Sequence, residues 1–296
     1  MDVKTQIEKG ILRCPVTREC LRPDYETGSL LTEGGQRRYP FLRGNIPVLL
    51  SDIPCCEDYV RSSERMLREY APESLEKKKN RLHRLKSCLT QDYRSKDSRE
   101  AFEELFRFAT EEEVCLSVGG GPERVHPFLT NLNIGPFPNV DVVGDAHALP
   151  YGNETVDVIY CDAVLEHLSN PIHAVREMHR VLKPEGRAFV STPFLQAYHG
   201  YPHHYHNFTL TGHRQLFTQQ GFRIDAAGTC VGPTWVIVSL VSTYITTYFP
   251  RPFNVVFGKI WGLIGAGIRP LDKVLNRRED SHIMASTTFL VASKSS

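Results

Sequence analysis

Three consecutive glycines follow a short apolar stretch near the middle of the chain, and they suit close approach of a ligand to the backbone. Val114–Val118 has the pattern of a buried strand and runs directly into Gly119, Gly120 and Gly121. Glycines at the carboxyl edge of a parallel sheet admit a ligand because they carry no Cβ atom. No Gly-Lys-Ser/Thr follows, which excludes a phosphate-binding P-loop, and the spacing also departs from that of dinucleotide sites.

A second candidate contact is the segment Asp145-Ala146-His147, directly after another short strand. A strand-end aspartate can accept a hydrogen bond from an exocyclic amine, and the next backbone N–H can pair with a ring nitrogen. An ordinary strand-end turn, where aspartate is frequent, is the alternative.

Histidines dominate the loop after the predicted strand 187–191, with four of them between residues 199 and 206. Imidazole titrates near neutral pH, so His203, His204 and His167 are candidate proton acceptors. Tyr205, in the same loop, is a further candidate. Aromatic faces there could also receive a cationic group. The alternative is a polar surface loop. We expect no metal site, because neither an acid nor a cysteine lies near these histidines in the sequence.

From residue 114 onward, short apolar strands alternate with helices, which predicts a parallel α/β sheet. We expect one buried face on the helix that begins at Asn170-Pro171, formed by Ile172, Val175, Met178 and Leu182. We also expect a helix directly after the three glycines. The further predictions are strands near 129–134, 140–143, 156–161, 187–191, 222–230 and 287–292, and a helix near 211–220.

Taken in order, these motifs resemble class I S-adenosylmethionine-dependent methyltransferases of the type-11 methyltransferase-domain group. The resemblance covers about 114–230 and the last strand, through the segments VGGGP, VDVVGDAHALPY, VDVIYCDAVLEHL and REMHRVLKPEGRAFVSTPF. It implies a Rossmann-like, seven-stranded mixed sheet with helices on both faces, and S-adenosyl-L-methionine as cofactor. The implied cofactor contacts are Ser117, Gly119, Gly120, Gly121, Asn133, Asp145, Ala146, His147, Cys161 and Asp162.

Two positions depart from the pattern of that family. Ser117 stands where the first strand usually carries an acid, and Asn133 stands where an acid usually grips the ribose. An amide keeps one acceptor but loses the charge, so we expect a weaker ribose contact. The connection between the second and third strands is also too short for a full helix. A catalytically inactive copy of the fold is therefore an alternative.

Residues 1–56 resemble the small zinc-ribbon-like domain that activates tRNA and protein methyltransferases. Cys14 and Cys20 supply one cysteine pair, whereas a zinc ribbon needs two. We therefore expect a metal-free segment that serves packing. Residues 57–113 form a predicted helical arm, and 114–296 form the methyltransferase domain. Within the arm, residues 77–86 present a basic face that is either solvated or in contact with nucleic acid or anionic lipid.

An apolar insertion, residues 232–285, separates the last two predicted strands. The stretch 226–250 has no charged residue or histidine, but its Gly, Pro, Ser and Thr content makes it too polar for a membrane span. We expect it to form helices. They could pack on the core or across a homodimer, roof a hydrophobic substrate pocket, or make peripheral membrane contact through 232–268.

The whole chain has 296 residues, of which 41% are hydrophobic and 23% charged, with a net charge near +1. This composition excludes collagen-like and disordered classes, and near-neutrality argues against binding nucleic acid by bulk charge. The start of the chain shows no secretory signal, so we expect a cytoplasmic protein, with or without membrane association. We predict a methyltransferase acting on a small-molecule or lipid-linked acceptor; the alternatives are an inactive adaptor or a tRNA methyltransferase.

Overall fold

The computed structural model describes residues 1–42, 45–52, 93–121, 123–200 and 203–295. The basic face predicted for 77–86 lies outside these residues. The strands are β1 Leu21–Asp24, β2 Ser29–Thr32, β3 Arg38–Leu42, β4 Ile46–Leu49, β5 Cys115–Val118, β6 Leu129–Asn133, β7 Val142–Gly144, β8 Val156–Asp162, β9 Leu182–Pro193, β10 Phe222–Val231 and β11 Thr287–Lys294. The α-helices are α1 Val3–Glu8, α2 Lys96–Leu105, α3 Pro171–Val181, α4 Leu210–Thr218, α5 Pro233–Tyr248, α6 Phe253–Ile268 and α7 Asp272–Leu275. Short 3₁₀ turns cover Ala146–Ala148, Leu165–His167, Arg269–Leu271 and Glu279–Met284.

Seven strands form a mixed sheet in the order β7-β6-β5-β8-β9-β11-β10, in which β11 runs antiparallel to both of its neighbours. Strands β7, β6, β5, β8 and β9 are parallel to one another. The predicted seven-stranded mixed α/β sheet is therefore confirmed.

The N-terminal strands extend this sheet instead of folding apart from it. Strands β1 to β4 pair antiparallel with one another, and β4 then pairs parallel with β7, aligning Val48 with Val143 and Leu49 with Gly144. The sheet thereby reaches eleven strands. Cys14 is buried in this region, and its Sγ lies 3.0 Å from the hydroxyl oxygen of Tyr39. This thiol packs in the core of the segment.

Helix α3 begins as its sequence predicts, with the Asn170 side chain accepting a hydrogen bond from His173 N at 3.1 Å and proline in the first turn. Its buried face runs through Pro171, Ala174, Val175, Met178 and Val181. Ile172 is 45% exposed, so its predicted burial is wrong. The reason is geometric: Ile172 lies about 100° around the helix from Pro171, outside the buried stripe.

The helix expected after the three glycines is also wrong. No residue described between Gly121 and Leu129 is helical, Pro122 lying outside the described set. Gly119 and Gly121 themselves have φ values of +79° and +109°, so the chain leaves β5 through a non-helical turn. Helix α2, which precedes β5 in the chain, packs on the sheet instead, with the ring of Phe102 centred 5.2 Å from that of Tyr160.

The predicted insertion forms a helical hairpin of α5 and α6. Trp261 Nε1 donates to Val238 O at 3.0 Å, and a Cβ on Gly265 would lie 2.8 Å from a Val238 methyl, so the two helices are in close contact. Asp272, which lies beyond α6 in the chain, caps the first turn of α5. Its carboxylate accepts hydrogen bonds from Thr234 N at 2.8 Å and Trp235 N at 3.0 Å. Among the described helices, none has the length and apolar character needed to cross a bilayer.

The hairpin leaves the sheet at the edge where the parallel strands end. Val231, the last residue of β10, and Pro193, the last of β9, both align with Thr287 on β11. Because β10 and β9 therefore end at the same level, α5 starts at the carboxyl edge, where ligands of such sheets bind.

Candidate active site

A cavity of about 530 Å³ lies at the carboxyl ends of β5, β6, β7 and β8. Its walls include apolar side chains such as Leu132, Phe137 and Leu168, which suit a flat aromatic ligand. The sequence-predicted residues that line it are Gly119, Gly121, Asn133, Asp145, Ala146, His147, Asp162, His167, His203 and Tyr205.

Four predicted site residues do not line this cavity: Ser117, Gly120, Cys161 and His204. Ser117 and Cys161 lie inside the sheet layer, 2% and 0% exposed, and burial raises the pKa of the Cys161 thiol well above its usual range. A Cβ on Gly120 would lie 2.5 Å from Ser117 Oγ, so this glycine is needed for internal packing. Ser117, Gly120 and Cys161 therefore belong to the packed layer of the sheet and not to the cavity wall.

Backbone conformation and packing both require glycine at position 119. Its φ of +79° disfavours any side chain, and a Cβ there would overlap a methyl group of Val164. Gly121 combines a φ of +109° with a carbonyl oxygen, that of Pro138, 3.3 Å from the Cβ position. The glycine loop is thus built so that its backbone faces the cavity without side chains.

Asn133 clamps this loop from the end of β6. Its Nδ2 donates to Gly119 O at 3.0 Å and to Gly120 O at 3.1 Å, while its Oδ1 accepts from Gly135 N at 3.2 Å. A carboxylate could not donate either of the first two bonds. The amide at this position is therefore matched to the loop that it holds.

Asp145 and His147 form a local hydrogen-bonded pair at the end of β7. Asp145 Oδ1 accepts from His147 N at 2.9 Å and lies 2.8 Å from His147 Nδ1. Asn170 N donates to His147 Nε2 at 3.4 Å, so Nδ1 carries the proton of the neutral ring. Asp145 lines the cavity, and its Oδ2 has no hydrogen-bond partner among the described residues.

Asp162, at the end of β8, is held by three side chains. Arg94 Nη2 lies 2.5 Å and Tyr160 Oη 2.8 Å from its Oδ2, and the Ser191 hydroxyl donates to its Oδ1. Burial works to lower the pKa of Arg94, but Asp162, Cys230 and Tyr160 together outweigh burial and hold this pKa above its usual range. Arg94 was missed from the sequence because it lies far from the motif, just before α2.

The histidine-rich loop folds back onto the turn at Leu165–His167. Tyr205 N donates to Glu166 O at 2.7 Å, and His167 Nδ1 lies 2.6 Å from His203 O. His203 and Tyr205 thereby face the cavity. His204 points elsewhere: its Nδ1 accepts from His199 N at 3.2 Å and its Nε2 donates to Asn207 Oδ1 at 2.8 Å.

Glu166 corrects the expectation that no acid lies near these histidines. Its carboxylate is fully buried, and its Oε1 is 3.8 Å from both His167 Nε2 and His199 Nε2. The Glu166 side chain raises the pKa of His199, against the opposing effect of burial. The signal available in sequence was the acid next to His167; only the fold shows that His199 joins it.

Comparison with known proteins identifies the central part of this chain. Residues 127–190 match a family model described as a methyltransferase domain. This part of the chain is therefore similar to a methyltransferase domain. The match includes β6 through most of β9, and with them Asn133, Asp145 and Asp162 of the cavity wall.

Several curated proteins are similar to short stretches of the chain. An uncharacterized 37.1 kDa protein in transposon TN4556 of Streptomyces fradiae is 40% identical over 58 residues, 19% of this chain and 17% of that protein. The ubiquinone/menaquinone biosynthesis C-methyltransferase UbiE of Escherichia coli O1:K1 / APEC is 39% identical over 80 residues, 24% of this chain and 32% of UbiE. The chain thus spans less than a third of either relative.

Solved structures with a similar backbone fold include two further proteins. YcgJ of Bacillus subtilis is 15% identical with a TM-score of 0.41, covering 68% of this chain and 99% of that one. The phosphoethanolamine N-methyltransferase 2 of Haemonchus contortus, in complex with phosphomonomethylethanolamine and S-adenosylhomocysteine, is 13% identical with a TM-score of 0.41. It covers 67% of this chain and 53% of that one.

The cavity of the methyltransferase domain fits S-adenosylmethionine by the donors and shapes that line it. Side-chain-free backbone at Gly119 and Gly121 borders one part of the cavity. The Asp145 carboxylate and apolar side chains border another, a combination suited to an exocyclic amine on a flat ring.

Proposed function

We propose that the protein is an S-adenosylmethionine-dependent methyltransferase that acts on a small, lipid-like acceptor. The observation that carries this proposal is the cavity at the carboxyl edge of the sheet. Gly119, Gly121 and Asp145 of the methyltransferase domain all line this cavity. The same edge is where ligands bind in open α/β sheets.

In this proposal, the glycine loop and Asp145 hold the cofactor, which supplies an activated methyl group on a sulfonium when bound. The apolar wall residues exclude water from the reacting groups. The His203 ring, which lies 5.4 Å from that of Tyr205 between ring centroids, takes up the proton of an acceptor that carries one. Both rings line the cavity, so the acceptor would enter beside them.

The choice of a lipid-like acceptor is supported by the hairpin α5–α6. Its outer surface exposes large apolar side chains, including Leu263 at 78%, Tyr248 at 72% and Phe253 at 55%. Exposed cationic residues occur in and next to these helices, namely Arg251, Lys259, Lys273 and Arg277. An apolar helical face with basic flanks is typical of proteins that rest on anionic membranes. The hairpin begins at the same sheet edge as the cavity, which would bring a membrane-held acceptor near it.

Calorimetric titration with S-adenosylmethionine tests cofactor binding. We expect one site per chain, and binding at least about tenfold weaker in Asp145→Ala, since a charge-assisted contact is lost. Asp225→Ala, which removes an exposed aspartate from β10, is the matched control and should leave affinity unchanged. Absence of binding in the wild type, or equal binding by Asp145→Ala, contradicts the proposed cofactor site.

Turnover is tested separately by following S-adenosylhomocysteine release with lipid extracts as acceptors. Release that requires a lipid fraction supports the acceptor class, and binding without release from any fraction favours the inactive-adaptor alternative. Loss of release in His203→Ala with cofactor affinity retained would support the role of His203.

Flotation with vesicles of phosphatidylcholine and phosphatidylglycerol tests the membrane contact. We expect the wild type to float with the vesicles and Leu263→Asp to remain in solution. Phe108→Asp changes a side chain that is 74% exposed but lies just beyond α2, and it should still float. If Leu263→Asp instead converts a dimer to a monomer and no form floats, the hairpin face binds a second copy and the membrane proposal is wrong.

A further inference from the structure

Glu166 is a buried carboxylate whose surroundings do not satisfy it. The residue is 0% exposed, and neither Oε1 nor Oε2 has a hydrogen-bond partner among the described residues. A carboxylate that is buried without a partner strongly destabilises the folded chain. A cation or a proton is therefore required at this place.

Two histidines face Glu166 in the arrangement that metal ligands adopt. His167 Nδ1 lies 2.6 Å from the carbonyl oxygen of His203, and His199 Nδ1 lies 3.1 Å from that of Ala197. A carbonyl oxygen only accepts, so each ring donates through Nδ1. In the neutral ring the other nitrogen, Nε2, then offers a lone pair, and both Nε2 atoms lie 3.8 Å from Glu166 Oε1. A backbone carbonyl that fixes the opposite nitrogen is the usual support of a ligating histidine.

We propose that Glu166, His167 and His199 bind one divalent transition-metal ion of the zinc class. Two imidazoles and one carboxylate form a recurrent protein ligand set that leaves a coordination position open. Their ligand atoms all lie within 4.8 Å of one another. Bonds of about 2.1 Å in a tetrahedral site place ligand atoms about 3.4 Å apart, so the two 3.8 Å pairs need to close by a few tenths of an ångström.

The fold allows this closure because His199 belongs to a loop. Its side chain is 40% exposed, whereas those of Glu166 and His167 are 0% and 17% exposed. The first two residues are fixed by the 3₁₀ turn after β8, and His199 closes from the loop after β9. Strands β8 and β9 are neighbours in the sheet, so the site joins the carboxyl ends of two adjacent strands.

The site borders the cavity, because His167 also lines its wall. A metal ion here would fix the histidine-rich loop to the turn after β8, and with it the position of His203. It shares no residue with the glycine loop or with Asp145, so metal binding can be measured independently of cofactor binding.

The proposal is tested on the full-length chain after removal of metals with EDTA. Titration with Co²⁺ should give d–d absorption bands of a site with nitrogen and oxygen ligands, at one ion per chain, without the thiolate charge-transfer band of a cysteine site. Calorimetric titration with Zn²⁺ should give the same stoichiometry. Absorption bands of a thiolate site, or no bands at all, overturn the proposal.

Two ligand variants and one matched control complete the test. Glu166→Gln keeps the side-chain shape and removes the buried charge, and His199→Gln changes a half-exposed loop residue, so each tolerates folding. Both should weaken Co²⁺ affinity at least about tenfold. His282→Gln removes an exposed histidine that also donates through Nδ1 to a backbone carbonyl, that of Glu279, and should bind Co²⁺ as the wild type does. Unchanged affinity in both ligand variants would show that the Glu166 charge is balanced by a proton instead.

Discussion

Arg94 reaches from the segment just before α2 to Asp162 at the cavity, with its Nη2 lying 2.5 Å from Asp162 Oδ2. The Arg94 backbone also bridges to Val231, the last residue of β10 before the hairpin. Ser95, the next residue, donates through its backbone N–H to Cys230 O at 2.8 Å. A single short segment thus joins α2, the base of the hairpin and the wall of the cavity.

Replacing Arg94 with Met should destabilise the protein by about 1–3 kcal/mol in unfolding free energy, because Asp162 then keeps its charge in a partly buried place. We expect a loss of unfolding free energy in the lower part of this range, because the Arg94 side chain is 36% exposed and solvent weakens its ion pair with Asp162. Urea denaturation measures the loss. The double variant with Asp162→Asn should recover part of it, and a double variant no more stable than Arg94→Met would contradict the coupling.

Asn133→Asp should weaken cofactor binding, although it restores the acid that is usual in this family. The carboxylate would face the carbonyl oxygens of Gly119 and Gly120, from which the amide now lies 3.0 and 3.1 Å away as a donor. Two lost hydrogen bonds and the new repulsion should cost about tenfold or more in affinity. Calorimetric titration with S-adenosylmethionine is the measurement, and equal or tighter binding would show that the ribose contact outweighs the clamp.

Gly119→Ala should destabilise the fold more than Gly28→Ala does. The two glycines have φ values of +79° and +60°, so both substitutions strain the backbone, by about 1–2 kcal/mol each. Only at Gly119 does the added methyl group overlap a neighbour, Val164, whereas nothing lies within 4 Å of the Cβ position at Gly28. The difference should exceed about 1 kcal/mol in urea denaturation. Val164→Ala added to Gly119→Ala should reduce it; equal losses for the two single variants would refute the packing argument.

His213 should make the protein less stable as the pH falls below about 6.5. Burial lowers the pKa of His213 from 6.5 to about 3 in the folded chain. Below pH 6.5 the unfolded chain therefore binds a proton that the folded chain does not, and each pH unit down to about 3 removes up to about 1.4 kcal/mol of unfolding free energy. His213→Gln can still contact Thr192 and Thr288 and should reduce this pH dependence between pH 7 and 5.

The measurement is urea denaturation of wild type and variant at both pH values. His282→Gln, which changes an exposed histidine, serves as the control and should retain the wild-type pH dependence. A His213→Gln variant that loses as much stability as the wild type between pH 7 and 5 would contradict the role of the buried ring.

Much of the central domain could be predicted from local patterns. Strand and helix periodicities placed β5 to β11, and the motifs at Gly119, Asp145 and Asp162 came together at one cavity because parallel strands end at one edge. Prediction from local patterns failed at positions where the pattern of neighbouring residues in sequence does not determine how a residue packs. Ile172 fits the apolar repeat but lies off the buried stripe, and no described residue between the glycine loop and β6 is helical.

The sequence by itself determined the fold class and most of the cavity wall, since both follow from short-range periodicity and from motifs that sit at strand ends. Only the tertiary structure decided which distant side chains meet there. Arg94 reaches Asp162 from 68 positions away, and His199 meets Glu166 through the pairing of β8 with β9. Such contacts depend on how packed elements are placed in space, and hydrophobic patterning along one segment carries no information about the partner that a polar side chain will find across the fold.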